Sequence, residues 1–166
     1  GFIVQVDVTD KVTTLPIADA KIQTNDDEIK SFTTNTNGIA FVSNASEGQN
    51  KIFIYSPIGK NYVAKSISFT INPSDDTTLV TLSLEKGNTL SGTVTSAGKS
   101  LQNATVYVEG KDFIKTTSDA SGKYSLSVPT GEYTFIASKN GLLADKKTLN
   151  IAGDASQDFD LKDPGF

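Results

Sequence analysis

Three short acidic clusters are the first places where this sequence could do chemistry. Asn25-Asp26-Asp27-Glu28, Pro73-Ser74-Asp75-Asp76 and Asp154-Ala155-Ser156-Gln157-Asp158-Phe159-Asp160 each gather carboxylates at close spacing. Calcium asks for about six to eight oxygens converging on one point, so these clusters keep calcium open as a ligand. No EF-hand spacing is present, and the competing role for such clusters is solvated turns. Two carboxylates flanking a sugar would also serve glycoside hydrolysis. None of these acids sits in the apolar surroundings that keep a catalytic acid protonated.

The rest of the catalytic toolkit is thin. The 166 residues include no His, Cys, Met or Trp, and all 15 cations are Lys. Without His there is no ordinary general base at neutral pH, and without Cys no thiolate nucleophile or sulfur-based metal site. Without Arg there is no bidentate clamp for carboxylate or phosphate. A Ser–Lys dyad has no motif to support it. An internal amide between a first-strand Lys and a last-strand Asn or Asp would need near-contact geometry in a dry core. The first strands contain no Lys; Lys11 and Lys99 lie just beyond them. No catalytic residue and no resident cofactor or metal is therefore expected.

Partners are bounded in the same way. A formal net charge of −4 with scattered Lys argues against nucleic acid. No apolar run approaches the roughly 18 residues that span a bilayer. Sugars stack on exposed aromatic rings, and the aromatic candidates here are Tyr55, Tyr62, Tyr107 and Phe113. With Ile58, Ile114, Leu142 and Leu143 some of these could form an apolar ligand or partner surface. The surface set is Tyr62, Tyr107, Phe113, Leu142 and Leu143; core packing is the competing role for each.

The elements that must position these residues are strands. Phe2, Val4, Val6 and Val8 alternate with Ile3, Gln5 and Asp7, and Val80, Leu82 and Leu84 with Thr81 and Ser83. The same period of two runs through Tyr124, Leu126 and Val128 and through Tyr133, Phe135 and Ala137. Alternation of this kind gives each strand one buried and one wet face. Strands are expected at 2–9, 19–24, 28–34, 39–44, 50–56, 62–71 and 78–85. A second set is expected at 89–95, 104–109, 113–118, 123–128, 132–139, 144–151 and 156–162. Turn pairs Asn37-Gly38, Ser121-Gly122 and Asn140-Gly141 punctuate them.

The two sets are copies of one module. Thr33-Thr34-Asn35-Thr36-Asn37-Gly38 lies beside Thr117-Ser118-Asp119-Ala120-Ser121-Gly122, and Asp19-Ala20-Lys21-Ile22 beside Asn103-Ala104-Thr105-Val106. Repetition at this scale predicts two domains, 1–86 and 88–163, joined near Lys86-Gly87-Asn88. Each is a seven-stranded antiparallel β-sandwich of the Ig-like kind. In each turn the side chain of Asn35 or Asp119 is expected to accept backbone N–H bonds, while Gly38 or Gly122 takes the unusual dihedral.

The second copy runs Ser91-Gly92-Thr93-Val94, then Asn103-Ala104-Thr105-Val106, Thr117-Ser118-Asp119-Ala120-Ser121-Gly122-Lys123-Tyr124 and Pro129-Thr130-Gly131-Glu132-Tyr133. This order resembles the carboxypeptidase regulatory-like domain, a transthyretin-like or prealbumin-like sandwich. The first copy keeps the Asp19-Ala20-Lys21-Ile22 and Thr34–Gly38 segments but has Glu47-Gly48-Gln49-Asn50-Lys51 at the last step. The resemblance implies two tandem modules of a larger secreted or cell-surface bacterial protein. Their expected role is non-catalytic: spacing, stiffening or supporting adhesion, with neighbouring domains of the same polypeptide as partners. Carbohydrate binding is the alternative, with a glycan or cell-surface protein as ligand. A third role is accessory domain of a linked peptidase or outer-membrane transporter. The start at Gly1 and the end at Asp163-Pro164-Gly165-Phe166 read as an internal piece of a longer chain. The Glu85–Asn88 connection is short enough to limit rotation between modules.

Overall fold

The computed structural model describes residues 1–24 and 30–165. Among these residues there are strands and turns and no helix. The chain divides into two compact units, Gly1–Lys86 and Gly87–Phe166. In the first unit the strands are β1 (Phe2–Asp10), β2 (Lys21–Thr24), β3 (Ser31–Thr33), β4 (Ile39–Ala45), β5 (Gly48–Tyr55), β6 (Lys65–Ile71) and β7 (Thr77–Leu84). One sheet has the order β4-β1-β7 and the other β3-β2-β5-β6. The period-two code puts Val4, Val6 and Val8 of β1, Ile52 and Ile54 of β5, and Leu82 and Leu84 of β7 between the sheets, all buried. Burying each such side chain contributes roughly 1.5–3 kcal/mol, which makes these layers the source of cohesion.

The second unit contains β8 (Asn88–Ser96), β9 (Lys99–Ser100), β10 (Thr105–Val108), β11 (Lys111–Thr117), β12 (Lys123–Val128), β13 (Gly131–Ser138), β14 (Asp145–Ile151), β15 (Ala155–Ser156) and β16 (Phe159–Asp160). Its sheets are β11-β10-β13-β14 and β12-β8-β15, with β16 and β9 also on β8. Leu90, Val94, Val106, Val108, Phe135 and Phe159 fill the space between them. The all-β sandwich expected from the alternation is what forms. Strand 62–71 is shorter than expected, starting at Lys65; ahead of it Tyr62 bridges to Lys86 and Val63 N–H donates to Glu85 O at 2.9 Å. Strand 156–162 is broken into β15 and β16.

Pairing departs from a purely antiparallel scheme at one place in each unit. β1 lies parallel to β7 over eight residue pairs, from Ile3 beside Thr77 to Asp10 beside Leu84. β8 lies parallel to β15 at Leu90 and Ser91, and to β16 at Val94 and Thr95. Alternation reports which side of a strand is buried and is silent on strand direction, so this pairing has no signature in the sequence.

The duplicated turn is built identically in both units. The Asn35 side-chain oxygen accepts from the backbone N–H of Asn37 (2.9 Å) and Ile39 (3.1 Å). Asp119 accepts from Ser121 and Lys123, both at 2.9 Å. Gly38 (φ 74°) and Gly122 (φ 77°) follow, each so close to a β1 or β8 carbonyl that a Cβ would meet Val8 O at 2.5 Å or Val94 O at 2.6 Å. A buried hydroxyl ties the turn to the neighbouring loop. Thr34 donates to Ile17 O (2.7 Å) and accepts from Ala20 N–H (2.9 Å). Ser118 donates to Leu101 O (2.6 Å) and accepts from Ala104 N–H (2.9 Å).

The cores differ where the copies have diverged. In the first unit Val6 stands opposite Ala40 across the β1–β4 pair. At the matching place in the second unit Gly92 stands opposite Tyr124. The Tyr124 ring packs at 5.9 Å from that of Phe159, and its hydroxyl donates to Gln157 O. Gly92 leaves the room: a Cβ there would meet Gln157 O at 2.0 Å and its carbon at 2.7 Å. Gly92→Ala is therefore expected to destabilise the second unit by about 1–3 kcal/mol through overpacking against backbone. Urea titration followed by amide NMR should show second-unit signals shifting to a lower midpoint while first-unit signals stay in place.

Candidate functional site

The residues proposed from sequence as a single surface are divided between the units, Tyr62 in the first and Tyr107, Phe113, Leu142 and Leu143 in the second. Tyr62 is 9% exposed and belongs to the core of the first unit, which corrects its reading as a surface aromatic. Ile114 is buried on β11, and neither it nor Phe113 is a loop residue, because the strand begins at Lys111. Tyr107 on β10 and Phe113 on β11 are half-buried. Tyr107 pairs with Lys115 on one side and Ile136 on the other. Its face is the outer one, because its neighbours Val106 and Val108 are buried. Leu142 and Leu143 lie in the loop before β14, with Leu143 53% exposed and its N–H donating to Lys162 O at 2.8 Å.

The acidic clusters are equally dispersed. Asn25–Glu28 lies outside the described residues. Asp154 and Asp158 each accept a backbone N–H of β8, from Thr89 and Thr93, at 2.9 Å. Asp160 is held by Lys162 Nζ at 2.5 Å and Thr95 Oγ1 at 3.1 Å, and the lysine beside it lowers its carboxyl pKa. Among the described residues no three acidic side chains converge in a way that would hold a metal ion.

What the fold does assemble is a pair missed by sequence reasoning. Asp10 ends β1 on the inward register of Val4, Val6 and Val8, and it is buried. Oδ2 accepts the Tyr62 hydroxyl at 2.6 Å. Oδ1 accepts the N–H of Val12 (2.8 Å) and of Thr13 (2.9 Å). Lys86 Nζ stands 5.7 Å from the centroid of the Tyr62 ring, within cation–π range. Beside the pair lies a cleft of about 750 Å³, whose apolar lining includes Leu15, Pro16, Pro57 and Ile58. The signal that could have found Asp10 was the alternation itself, which carries the buried face one step past Val8 to a carboxylate.

The electrostatics fit a lock better than a catalyst. The Tyr62 hydroxyl, then the two backbone N–H groups, hold the Asp10 carboxyl down to about 2 from its ordinary 3.8. Burial, reinforced by Asp10, pushes the Tyr62 hydroxyl up to about 12. At neutral pH the carboxylate is a very weak base and the phenol a very weak acid, so neither is poised to transfer a proton. In the second unit the matching place is taken by Ser96, donating to Leu161 O at 2.8 Å, and by Leu143. That unit has no Asp–Tyr pair there.

The sign of the pH effect follows. The folded carboxyl ionises more readily than the unfolded one, so its contribution to stability is complete above pH 3.8 and is lost as pH falls through 3.8 towards 2. Asp10→Asn is expected to weaken the first unit at pH 7 and to flatten its loss of stability between pH 4 and pH 2, roughly the window set by those two values. Urea midpoints of first-unit signals at pH 7 and pH 3 measure both effects.

No functionally curated protein matches the sequence. Solved structures similar to the chain include the TIE protein of Bacillus anthracis, at 20% identity and TM-score 0.42 over 98% of this chain and 34% of that one. The chain thus spans about a third of that protein's length. A shaft pilin of Lactobacillus rhamnosus GG aligns at 13% identity and TM-score 0.40, over 99% of this chain and 98% of that one. The minor pilin of Streptococcus agalactiae aligns at 10% identity and TM-score 0.36, over 100% and 98%. The sequence pattern of the carboxypeptidase regulatory-like domain matches residues 89–162, from the second residue of β8 to two residues past β16. That match falls within the second unit, whose motif order is similar to that of the carboxypeptidase regulatory-like domain.

Proposed function

We propose that the chain is a pair of non-catalytic spacing modules in a larger secreted or surface-displayed polypeptide, with neighbouring domains of that polypeptide as its partners. One observation carries this reading: in each unit the first and last strands run parallel and side by side. The chain therefore enters a unit at one end of a strand and leaves from the other end, so each unit adds its own length to the path. An eight-residue ladder adds roughly 26 Å. Only Glu85, Lys86 and Gly87 separate β7 from β8. The first unit repeats the turn, hydroxyl tie and strand order of the second, and we assign it to the same domain type on that ground. The absence of Cys and Met leaves no sulfur for oxidants, which suits a place outside the cell.

The competing role is glycan binding, and the half-buried Tyr107 and Phe113 on one sheet of the second unit are where it would occur. Titration of the isotopically labelled chain with a panel of soluble glycans is expected to leave the Tyr107 and Phe113 signals in place. In the parent polypeptide, deletion of residues 1–86 is expected to shorten the reach between flanking domains by roughly one module, about 3 nm, and to leave their own activities unchanged. Saturable glycan-dependent shifts at those two residues, or loss of a flanking activity at unchanged expression, would overturn the spacing role.

A further inference from the structure

The two units close the same topology with ladders of different quality, and under tension that difference matters. We propose that they form a graded mechanical pair, in which the first unit holds at forces that open the second. The inference rests on the spacing role above, since a spacer between anchored domains carries load along its chain.

The argument starts from the direction of pull. A load on the two ends of a unit acts at the start of its first strand and the finish of its last. Where those strands are parallel neighbours, the load runs along both in opposite senses. Hydrogen bonds across the pair are then sheared together, whereas a load across the strands would peel them in sequence. The rupture rate of such a pair is set by the unfolding barrier, and many bonds breaking in one event raise it.

In the first unit the pair is continuous. Eight residues of β1 are in register with eight of β7, and Lys11 N–H to Leu84 O at 3.0 Å closes the last pair. The second unit has two short pieces, two pairs on β15 and two on β16, each closed by one backbone bond, Gln157 N–H to Ser91 O and Leu161 N–H to Thr95 O, both at 2.9 Å. The gap falls at Gly92, where the Gln157 carbonyl has moved into the space of the missing side chain. Two β8 donors along this edge are satisfied by side chains, Thr89 N–H by Asp154 and Thr93 N–H by Asp158. A carboxylate on a rotatable side chain can turn and let go singly, which a backbone rung cannot. The opposite neighbour of each first strand is similar in the two units: β4 pairs with β1 and β12 with β8, both antiparallel. The difference therefore lies in the closing strand.

The test is optical-tweezers unfolding of the full 166-residue chain held by its two ends. Twenty Gly/Ser residues inserted at the exposed Ala97-Gly98 turn mark the second unit, lengthening its unfolding step by about 7 nm. The expected record has two steps, the weaker one carrying the extra length. The first unit should yield at roughly twice the force, in proportion to the rungs loaded together. Extra length on the stronger step, or one shared force distribution, would overturn the proposal. A second arm moves one handle to Asp75→Cys, specific because the chain has no other Cys. Load then enters β7 beside the start of β1 and peels the pair from Ile3–Thr77 onward. The first unit's rupture force should fall several-fold; an unchanged force would overturn shear of this ladder as its source. Neither failure touches the spacing role, which is decided by the glycan and deletion measurements.

Discussion

In each unit the first strand must be paired on both flanks, and the last strand supplies the second flank. β1 runs between β4 and β7, and β8 between β12 and the β15–β16 edge. An unpaired central strand would leave buried N–H and C=O groups without partners, at a cost comparable to several lost hydrogen bonds. The closing strand arrives last in the chain, some 70 residues after its partner, so the sheet is complete only when the whole module is present. The long-range contacts that give the unit its cohesion also make it a module: nothing outside residues 1–86 is needed to close the first ladder.

Duplication followed by divergence is visible at the level of single atoms. The Asn35 and Asp119 turns, the Thr34 and Ser118 hydroxyls and the two tight glycines keep the same hydrogen bonds at nearly the same distances. These positions combine a positive φ, a buried donor and a close backbone approach, and few side chains meet all three demands. The core positions, by contrast, have traded volume. Val6 with Ala40 in one copy stands where Gly92 with Tyr124 stands in the other, a small-for-large exchange that keeps the layer filled. The exchange changed the edge as well, because a strand bearing glycine lets its neighbour's carbonyl approach and break the ladder. The terminal positions traded chemistry: a buried carboxylate and phenol in one copy, a hydroxyl and a leucine in the other.

Legibility followed the same division. The alternation at Val4, Val6 and Val8, or at Leu126 and Val128, reports burial directly, because a strand has only two faces. The repeat and the turn residues were readable for a similar reason, since their chemistry is local to about five residues. The candidate surface was not readable. Tyr62 and Tyr107 are the same residue type in similar polar settings, yet one is in the core and the other on an outer sheet face. Tyr107 lies on a strand between buried Val106 and Val108, whereas Tyr62 lies ahead of β6 outside any strand, where alternation fixes no face. Alternation carries the buried face to Asp10, but nothing local points to its partner Tyr62, 52 residues away.

The amino-acid order alone determined the strand character, the two copies, the tight turns and the absence of His- or Cys-based chemistry, all of which depend on side-chain type and near neighbours. Only the tertiary structure decided that the terminal strands lie parallel, that the last strand of the second unit is split, and that Asp10 and Tyr62 meet. Those features depend on which strands become neighbours and in which direction, a choice made by packing two sheets face to face, and no local pattern encodes it.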